Sequence, residues 1–417
     1  MNKMFFIKNR ASIYSMLKNN SIIILFSGKA PHKSNDAYYN FEVNKNFYYL
    51  TGIQKENITF MAINFEGKVE EFLFVEKPDP ILAKWVGESI SVDEATEISG
   101  IEMILYQNDF KSKLVRCLSS SNKPITYVYF DLSKYAWDDP DTMPIAFSRE
   151  IINKYPQLDI ADISKEFVKL RSIKSTEEVA RIIKAINITN EGIENLMKNS
   201  KPGMRECELE AYFDFTLKSK GVQHAFQTIA ASGINGTILH YIDNKRVLKE
   251  HDLILFDLGA SVDNYCSDIS RTFPVNGKFT NRQKEVYNVV LSCMKEVINH
   301  MQPGASMTAI NKLARNLLAQ GCISIGLIKS LEEIDNYYYH SIGHSLGLDT
   351  HDIGDRDVIL QPGMVYTCEP GLYIQEESIG IRIEDDILIT EEGNINLSNH
   401  IIKEVDAIES FMSSISN

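Results

Sequence analysis

The chain has 417 residues, 44% of them apolar, and carries 43 basic against 56 acidic side chains for a net charge of −13. That length exceeds one ordinary core and favours two domains, while the acidic balance disfavours a phosphate-backbone partner, so nucleic acid is not an expected ligand. Six cysteines without a CxxC pair read as reduced thiols in a cytoplasmic protein, with no disulfide expected.

In chain order, MNKMFFIKNRASIYSML carries Lys3, Lys8 and Arg10 and has no long apolar run before a small-residue cleavage site, so it does not read as a signal peptide. SIIILFS, residues 21–27, is far short of the roughly 20 residues a spanning helix needs. Its three consecutive isoleucines read as a buried strand, and no membrane contact is expected. Up to about residue 165, strand-like runs (IIILF, ITFMAINF, EEFLFVE, ITYVYFDL) alternate with helix-like stretches such as 109–118, which is an α/β pattern. At Ser175 the character changes. STEE forms a capping box, and Val179, Ile182, Ile183, Ile186, Ile193, Leu196 and Met197 follow at helical spacing until KPG, ending at Gly203, closes the segment. The expected domains are 1–165 and 166–417. The second continues with a helix near 205–220, strands near 225–232 and 253–274, helices near 281–301 and 307–320, and strands near 364–374 and 379–390.

Two segments of the second domain echo each other. LKEHDLILFD (248–257) and LQPGMVYTCE (360–369) both run leucine, polar turn, mostly apolar strand and a terminal acid, which suggests internal pseudo-symmetry with Asp257 and Glu369 at matching points. An ionised carboxylate inside an apolar strand is costly unless a cation or donors compensate it. A turn centred between Val262 and Asp263 sets Asp257 opposite Asp268, and one centred between Glu376 and Glu377 sets Glu369 opposite Glu384. Like charges facing each other in this way call for protonation of one or for a cation between them.

YYYHSIGHSLGLDTHD, residues 337–352, supplies His340, His344 and His351 within twelve residues. A helical zinc-protease motif is disfavoured here, because Ser341 rather than Glu follows the first histidine and glycines interrupt the helix. Four carboxylates and one imidazole make an oxygen-rich ligand set suited to Mn2+ and less well to Mg2+, Co2+ or Fe2+, and unlike a sulfur-rich structural zinc site. Bridging carboxylates imply two ions about 3.5–4 Å apart with a bridging hydroxide nucleophile, which is hydrolase chemistry.

His240–Tyr241, DLGASVDNYCSDISRTFP from Asp257, HSIGHSLGLDTHD from His340, EPGLYI from Glu369 and GIRIEDD from Gly380 together resemble the pita-bread metallopeptidases, in particular their aminopeptidase P group. FFIKNRASIYSMLKNNSIIILFSG, NKNFYYLTGI and KWVGESIS resemble that group's creatinase/aminopeptidase P-like N-terminal domain. One departure stands before YYLTG, where Glu42 and Val43 occupy the place of an Arg-Gln pair. The resemblance implies an α/β N-terminal domain followed by an α+β pita-bread domain with pseudo-two-fold symmetry. It implies two divalent ions, Mn2+ first with Co2+, Zn2+ or Fe2+ as alternatives. Asp257 would chelate one, Asp268 and Glu384 would bridge both, and His344 and Glu369 would complete the other. Glu369 would also shuttle the proton, His351 and His240 would assist at the carbonyl and the substrate amide, and His340, Arg382 and Tyr373 would line a proline pocket. The implied activity is release of the N-terminal residue from peptides with proline in second position, by a homo-oligomer (dimer or tetramer) in which Trp85 could reach a neighbour's site. Two alternatives remain: a prolidase restricted to Xaa-Pro dipeptides, and an inactive peptide-binding or creatinase-like relative. The latter class loses carboxylate ligands, whereas all five ligand positions are filled here.

Overall fold

A computed structural model describes residues 1–355 and 357–414. The chain divides into two compact units, Met1–Leu170 and Arg171–Asn417, a few residues beyond the boundary expected at 165.

In the first unit, all four apolar runs become strands of one six-stranded sheet. Its order is Ile104–Tyr106, Lys68–Val75, Thr59–Phe65, Ser21–Phe26, Tyr127–Phe130, Asp159–Asp162. Thr59–Phe65 pairs antiparallel with both of its neighbours, while the outer pairings are parallel, so the sheet is mixed. Ile22, Ile24, Met61, Phe74 and Phe130 are buried on one face, where Phe110 and Phe147 meet Phe26 edge to face. Phe110 opens the helix Phe110–Leu118, close to the expected 109–118.

The second unit opens with the helix Thr176–Asn199. Both bonds of the Ser175/Glu178 capping box are formed, and Ile182, Ile186, Ile193, Leu196 and Met197 line its buried face. Glu206–Lys220 packs against it, and Asn281–His300 packs against Met307–Ser324, so each half carries a helix pair. The echo between the halves extends to the backbone. Gly203 N donates to Leu248 O (2.9 Å) as Gly304 N does to Leu360 O (2.8 Å), and Leu248 N bonds Met204 O (2.7 Å) as Leu360 N bonds Ala305 O (2.9 Å). Glu206 N to Arg246 O (2.9 Å) and Met307 N to Val358 O (3.1 Å) complete the same clasp in each half.

The strands expected over 253–274, 364–374 and 379–390 are each interrupted. Leu253–Leu258 pairs with Ile269–Pro274, and Ala260–Val262 with Tyr265–Cys266. The register of this hairpin differs from the expected one: Asp257 lies opposite Ser270, not Asp268. Asp263 and Asn264 both adopt positive φ (50° and 66°), so the two-residue turn forms on them, one position later than the turn read from the sequence. Because the displacement is two residues in the ladder, Asp268 stays on the face of Asp257 and becomes its diagonal neighbour. The second hairpin keeps the expected register. Cys368 pairs with Asp385 and Gly371 with Arg382, so Glu369 and Glu384 face each other across the gap between these ladders.

One close approach carries the loop before His240 against this hairpin. A Cβ built on Gly380 would lie 1.9 Å from the carbonyl oxygen of Gly236, in the 3-10 turn Gly233–Thr237. Gly380→Ala should therefore force backbone from backbone and destabilise the second unit by about 1–3 kcal/mol. Urea denaturation of the variant against wild type measures it; an unchanged midpoint would mean that the turn is free to move.

Candidate metal centre

Three of the four strand acids sit where a ladder is broken. Asp268 lies between Tyr265–Cys266 and Ile269–Pro274, Glu369 between Val365–Cys368 and Gly371–Ile374, and Glu384 between Ile379–Arg382 and Asp385–Thr390. A break releases the local pleat and allows a side chain to be re-aimed. Asp257 alone stands within a continuous strand, Leu253–Leu258. The histidine arrives from the loop after Tyr338. That loop packs so closely on Val365–Cys368 that a Cβ on Gly343 would lie 2.0 Å from Thr367 O. His344 and Thr367 then exchange bonds: Thr367 N donates to His344 O (2.9 Å), and His344 N donates to Thr367 Oγ1 (3.1 Å).

Asp257, Asp268, His344, Glu369 and Glu384 all line one cavity of about 670 Å³, together with His240, His340, His351 and Arg382. Ligand-capable atoms of Asp268, His344 and Glu384 lie within 4.8 Å of one another. Burial, and then the carboxylates of Glu384, Asp257, Asp386 and Glu369, hold Asp268 well above the usual carboxylate range. Burial, then Glu369 and Asp257, raise Glu384 in the same way. Burial pushes Glu369 up to about 8, against the opposing pull of Arg382.

His344 decides what the cluster accepts. Its Nδ1 donates to Ser345 O (3.1 Å), so the neutral ring presents the Nε2 lone pair to Asp268 Oδ2 at 3.3 Å and Glu369 Oε1 at 3.7 Å. Burial, followed by the neighbouring His351 ring, lowers its pKa to about 4, so a proton is poorly held there. Asp257 Oδ1 and Asp268 Oδ1 are buried with no hydrogen-bond partner among the described residues. Lone pairs converging on one another without a donor fit a divalent cation, and the Nδ1–H···O=C bond is the usual orienting contact of a ligating histidine.

The other expected site residues divide into those that face the cavity and one that does not. His351 stacks on His344 (centroids 4.0 Å apart, planes tilted 35°), and its ring and that of His240 are accessible from the cavity. His340 is held at both nitrogens, Nδ1 donating to Ser341 O (2.8 Å) and Nε2 accepting from Tyr373 OH (2.8 Å), and burial lowers it to about 4. Tyr373, expected to close the proline pocket, is 2% exposed and does not line the cavity. Its hydroxyl instead accepts from Arg382 Nη1 (3.1 Å) and joins that guanidinium to His340.

Behind the acids lies a brace that neither periodicity nor motif reading singled out. Arg271, 0% exposed, donates to Glu384 O (2.6 Å), Ser270 O (2.9 Å), Asp385 Oδ1 (2.6 Å) and Ile402 O (3.1 Å). Lys403 Nζ (2.9 Å) and Asn396 Nδ2 (2.6 Å) hold the other oxygen of Asp385. Glu206, also 0% exposed, accepts from Ser232 N and Oγ (both 2.7 Å), Tyr241 OH (2.9 Å) and Arg246 N (2.9 Å), fixing the segment that carries His240. Asp352, next to His351, is clamped by Arg171 (2.5 Å) and Lys174 (3.1 Å).

Residues 180–391 match Metallopeptidase family M24, and residues 6–127 match Aminopeptidase P, N-terminal domain. The chain is 32% identical to Xaa-Pro aminopeptidase of Haemophilus influenzae over 98% of its own length and 96% of the relative's. The chain belongs to Metallopeptidase family M24. Among solved M24 structures, a candidate aminopeptidase P from Bacillus anthracis shares 48% identity with a TM-score of 0.97 over 99% of both chains. The Zn-substituted Escherichia coli aminopeptidase P in complex with product shares 30% identity with a TM-score of 0.91, covering 100% of this chain and 99% of that one. The chain is thus a metallopeptidase of the aminopeptidase P group, with the N-terminal domain of that group and a pita-bread second domain. Among the described residues no helix is long and apolar enough to cross a membrane.

The metal-free M24 protein should respond to pH with a definite sign. A carboxyl raised on folding stabilises the fold while protonated and loses that contribution as pH rises through its folded value, about 8 for Glu369. The lowered histidines act oppositely, but only below their ordinary value of 6.5. Between about pH 6.5 and 8 the stability of chelated protein should therefore fall, and added Mn2+ should raise the melting temperature more at pH 8 than at pH 6.5. Thermal melts with and without Mn2+ decide it; a Mn2+ effect independent of pH would contradict carboxylate ligation.

Proposed function

We propose that the chain is an Xaa-Pro aminopeptidase that binds two divalent ions through Asp257, Asp268, His344, Glu369 and Glu384. The observation that carries this reading is the His344 Nε2 lone pair aimed at Asp268 and Glu369 beside two buried aspartate oxygens that find no donor among the described residues. Asp257 would hold one ion and His344 and Glu369 the other, with Asp268 and Glu384 contributing to both. The oxygen-rich donor set favours Mn2+, with Co2+, Zn2+ or Fe2+ as alternatives. When bound, such ions supply an activated water and polarise the scissile carbonyl.

The chain's own residues do the rest. His351 and His240, both accessible from the cavity, donate to the carbonyl oxygen as it gains charge and to the substrate amide. Glu369 takes a proton from the attacking water and delivers it to the leaving imino nitrogen. His340 and Arg382 form the wall for proline, with Tyr373 holding the two together from behind. Proline lacks the amide N–H that general peptidases grip, so a site that uses no such donor accepts this bond.

A specific observation favours an aminopeptidase over a prolidase. Among the described residues Arg382 is the one arginine lining the cavity, and each of its nitrogens already has a partner: Ser270, Tyr373 and Asp257. A dipeptide's free carboxylate would have to displace one of them. The six free cysteines and the acidic composition support a cytoplasmic setting. Trp85, 83% exposed beside exposed Ile81 and Val86, supports a homo-oligomer formed through the first unit.

Release assays on chelated enzyme resupplied with Mn2+ test the reading. Arg should be released from Arg-Pro-Pro, with Ala-Pro cleaved far more slowly; activity on the dipeptide alone would make the chain a prolidase, and none on either would refute the peptidase reading. Asp257→Asn should lose Mn2+ binding and turnover together. His351→Ala should keep Mn2+ and lose about 10²–10⁴-fold in kcat; turnover near wild type would remove His351 from the mechanism.

A further inference from the structure

Ser270 and Thr272 share the face of Asp268 by strand alternation, and Ser270 lies directly across the ladder from Asp257. Ser270 is 0% exposed and its hydroxyl is used twice. It donates to Glu384 Oε2 at 2.8 Å and accepts from Arg382 Nε at 2.8 Å. The same guanidinium donates to Asp257 Oδ2 at 2.6 Å and to Tyr373 OH at 3.1 Å, and Tyr373 OH bonds His340 Nε2 at 2.8 Å. One hydroxyl thus closes a circuit through two acids of the cluster and the two residues of the proline-side wall.

We infer that Ser270 is a positioning residue whose hydroxyl orients the Glu384 carboxylate toward the cations and locks Arg382 against Asp257, so that metal affinity and the shape of the proline pocket are set together. The inference rests on the metallopeptidase reading of this site. The chemistry of the hydroxyl suits the task. A carboxylate's terminal torsion is broad, so the direction of its oxygens must be imposed by a partner. A cationic partner would impose it while competing with the metal for the charge; a hydroxyl fixes direction and leaves the charge to the cation. The backbone adds a second tie at the same point, since Glu384 N donates to Ser270 O at 3.1 Å. Without the hydroxyl, Glu384 Oε2 loses its donor and Arg382 Nε–H its acceptor, both in a buried setting where neither is readily replaced.

Ser270→Ala and Ser270→Thr test this in the full chain. Each protein is stripped by chelation and titrated with Mn2+ alone by calorimetry, and KM and kcat on Arg-Pro-Pro are then measured at saturating Mn2+. Ser270→Ala should bind Mn2+ about 10–100-fold more weakly and show a raised KM once the metal is saturating, because Arg382 has lost one of its three partners. Ser270→Thr, which keeps the hydroxyl, should bind and turn over like wild type. Wild-type Mn2+ affinity in Ser270→Ala would overturn the inference, and so would equal weakening in both variants, which would make packing rather than the hydroxyl responsible. The calorimetric comparison is independent of turnover, so an error in the peptidase assignment alone would leave it standing or falling on its own numbers.

Discussion

The structure is organised around an electrostatic conflict. Asp257, Asp268, Glu369 and Glu384 converge on one cavity in which, among the described residues, Arg382 supplies the one guanidinium. Two like charges 4 Å apart repel by about 4 kcal/mol even at an effective dielectric of 20. A chain free to relax would turn these side chains away from each other. Each is held in place by a contact from outside the cluster: Arg382 on Asp257, Ser270 on Glu384, the Thr367 hydroxyl on Glu369, and the Asp386 carboxylate on the backbone N–H of Asp268. The protein keeps these acids convergent in its folded state, and the repulsion is relieved either by protonation, which the raised pKa values of Asp268, Glu369 and Glu384 reflect, or by a bound cation.

Both halves of the pita-bread domain are needed to create the conflict. Each supplies a helix pair and the same clasp of backbone bonds, and each delivers an acid at the end of the segment that follows its leucine. The halves then diverge in use. The first places Asp257 within an unbroken strand and steers His240 through the Glu206 hub. The second breaks both of its strands at Glu369 and Glu384 and adds the histidine loop. Symmetry supplies the frame, and its local violations supply the chemistry.

Much of this was legible in the sequence because it depends on local rules. The capping box at Ser175 fixed a helix start, and apolar periodicity identified its buried face. The second hairpin's register followed from the position of its turn. The first was displaced because Asp263 and Asn264, rather than Val262 and Asp263, have side chains suited to two consecutive positive-φ positions. Since a two-residue displacement preserves the face, the grouping of acids survived the error. Tyr373 is a different case: alternation sets its face, but not whether its ring borders the cavity or lies behind Arg382. Ser270 and Arg271 lay inside the block from Asp257 without standing out from it, and Glu206 and Thr367 carried no signal. A serine or threonine in a strand, or a lone charge in an apolar run, is common, and its meaning depends on partners more than a hundred residues away for Ser270 and Arg271.

The Arg271 brace also bears on the order in which the protein can be completed. It closes through the carbonyl oxygen of Ile402 and the ammonium of Lys403, both beyond residue 391, where the match to the M24 family ends. During synthesis the acids emerge before the segment that steadies the strand behind Glu384. Until Ile402 and Lys403 are in place, the strand behind Glu384 therefore lacks two of the contacts that steady it, although every acid of the cluster is already made.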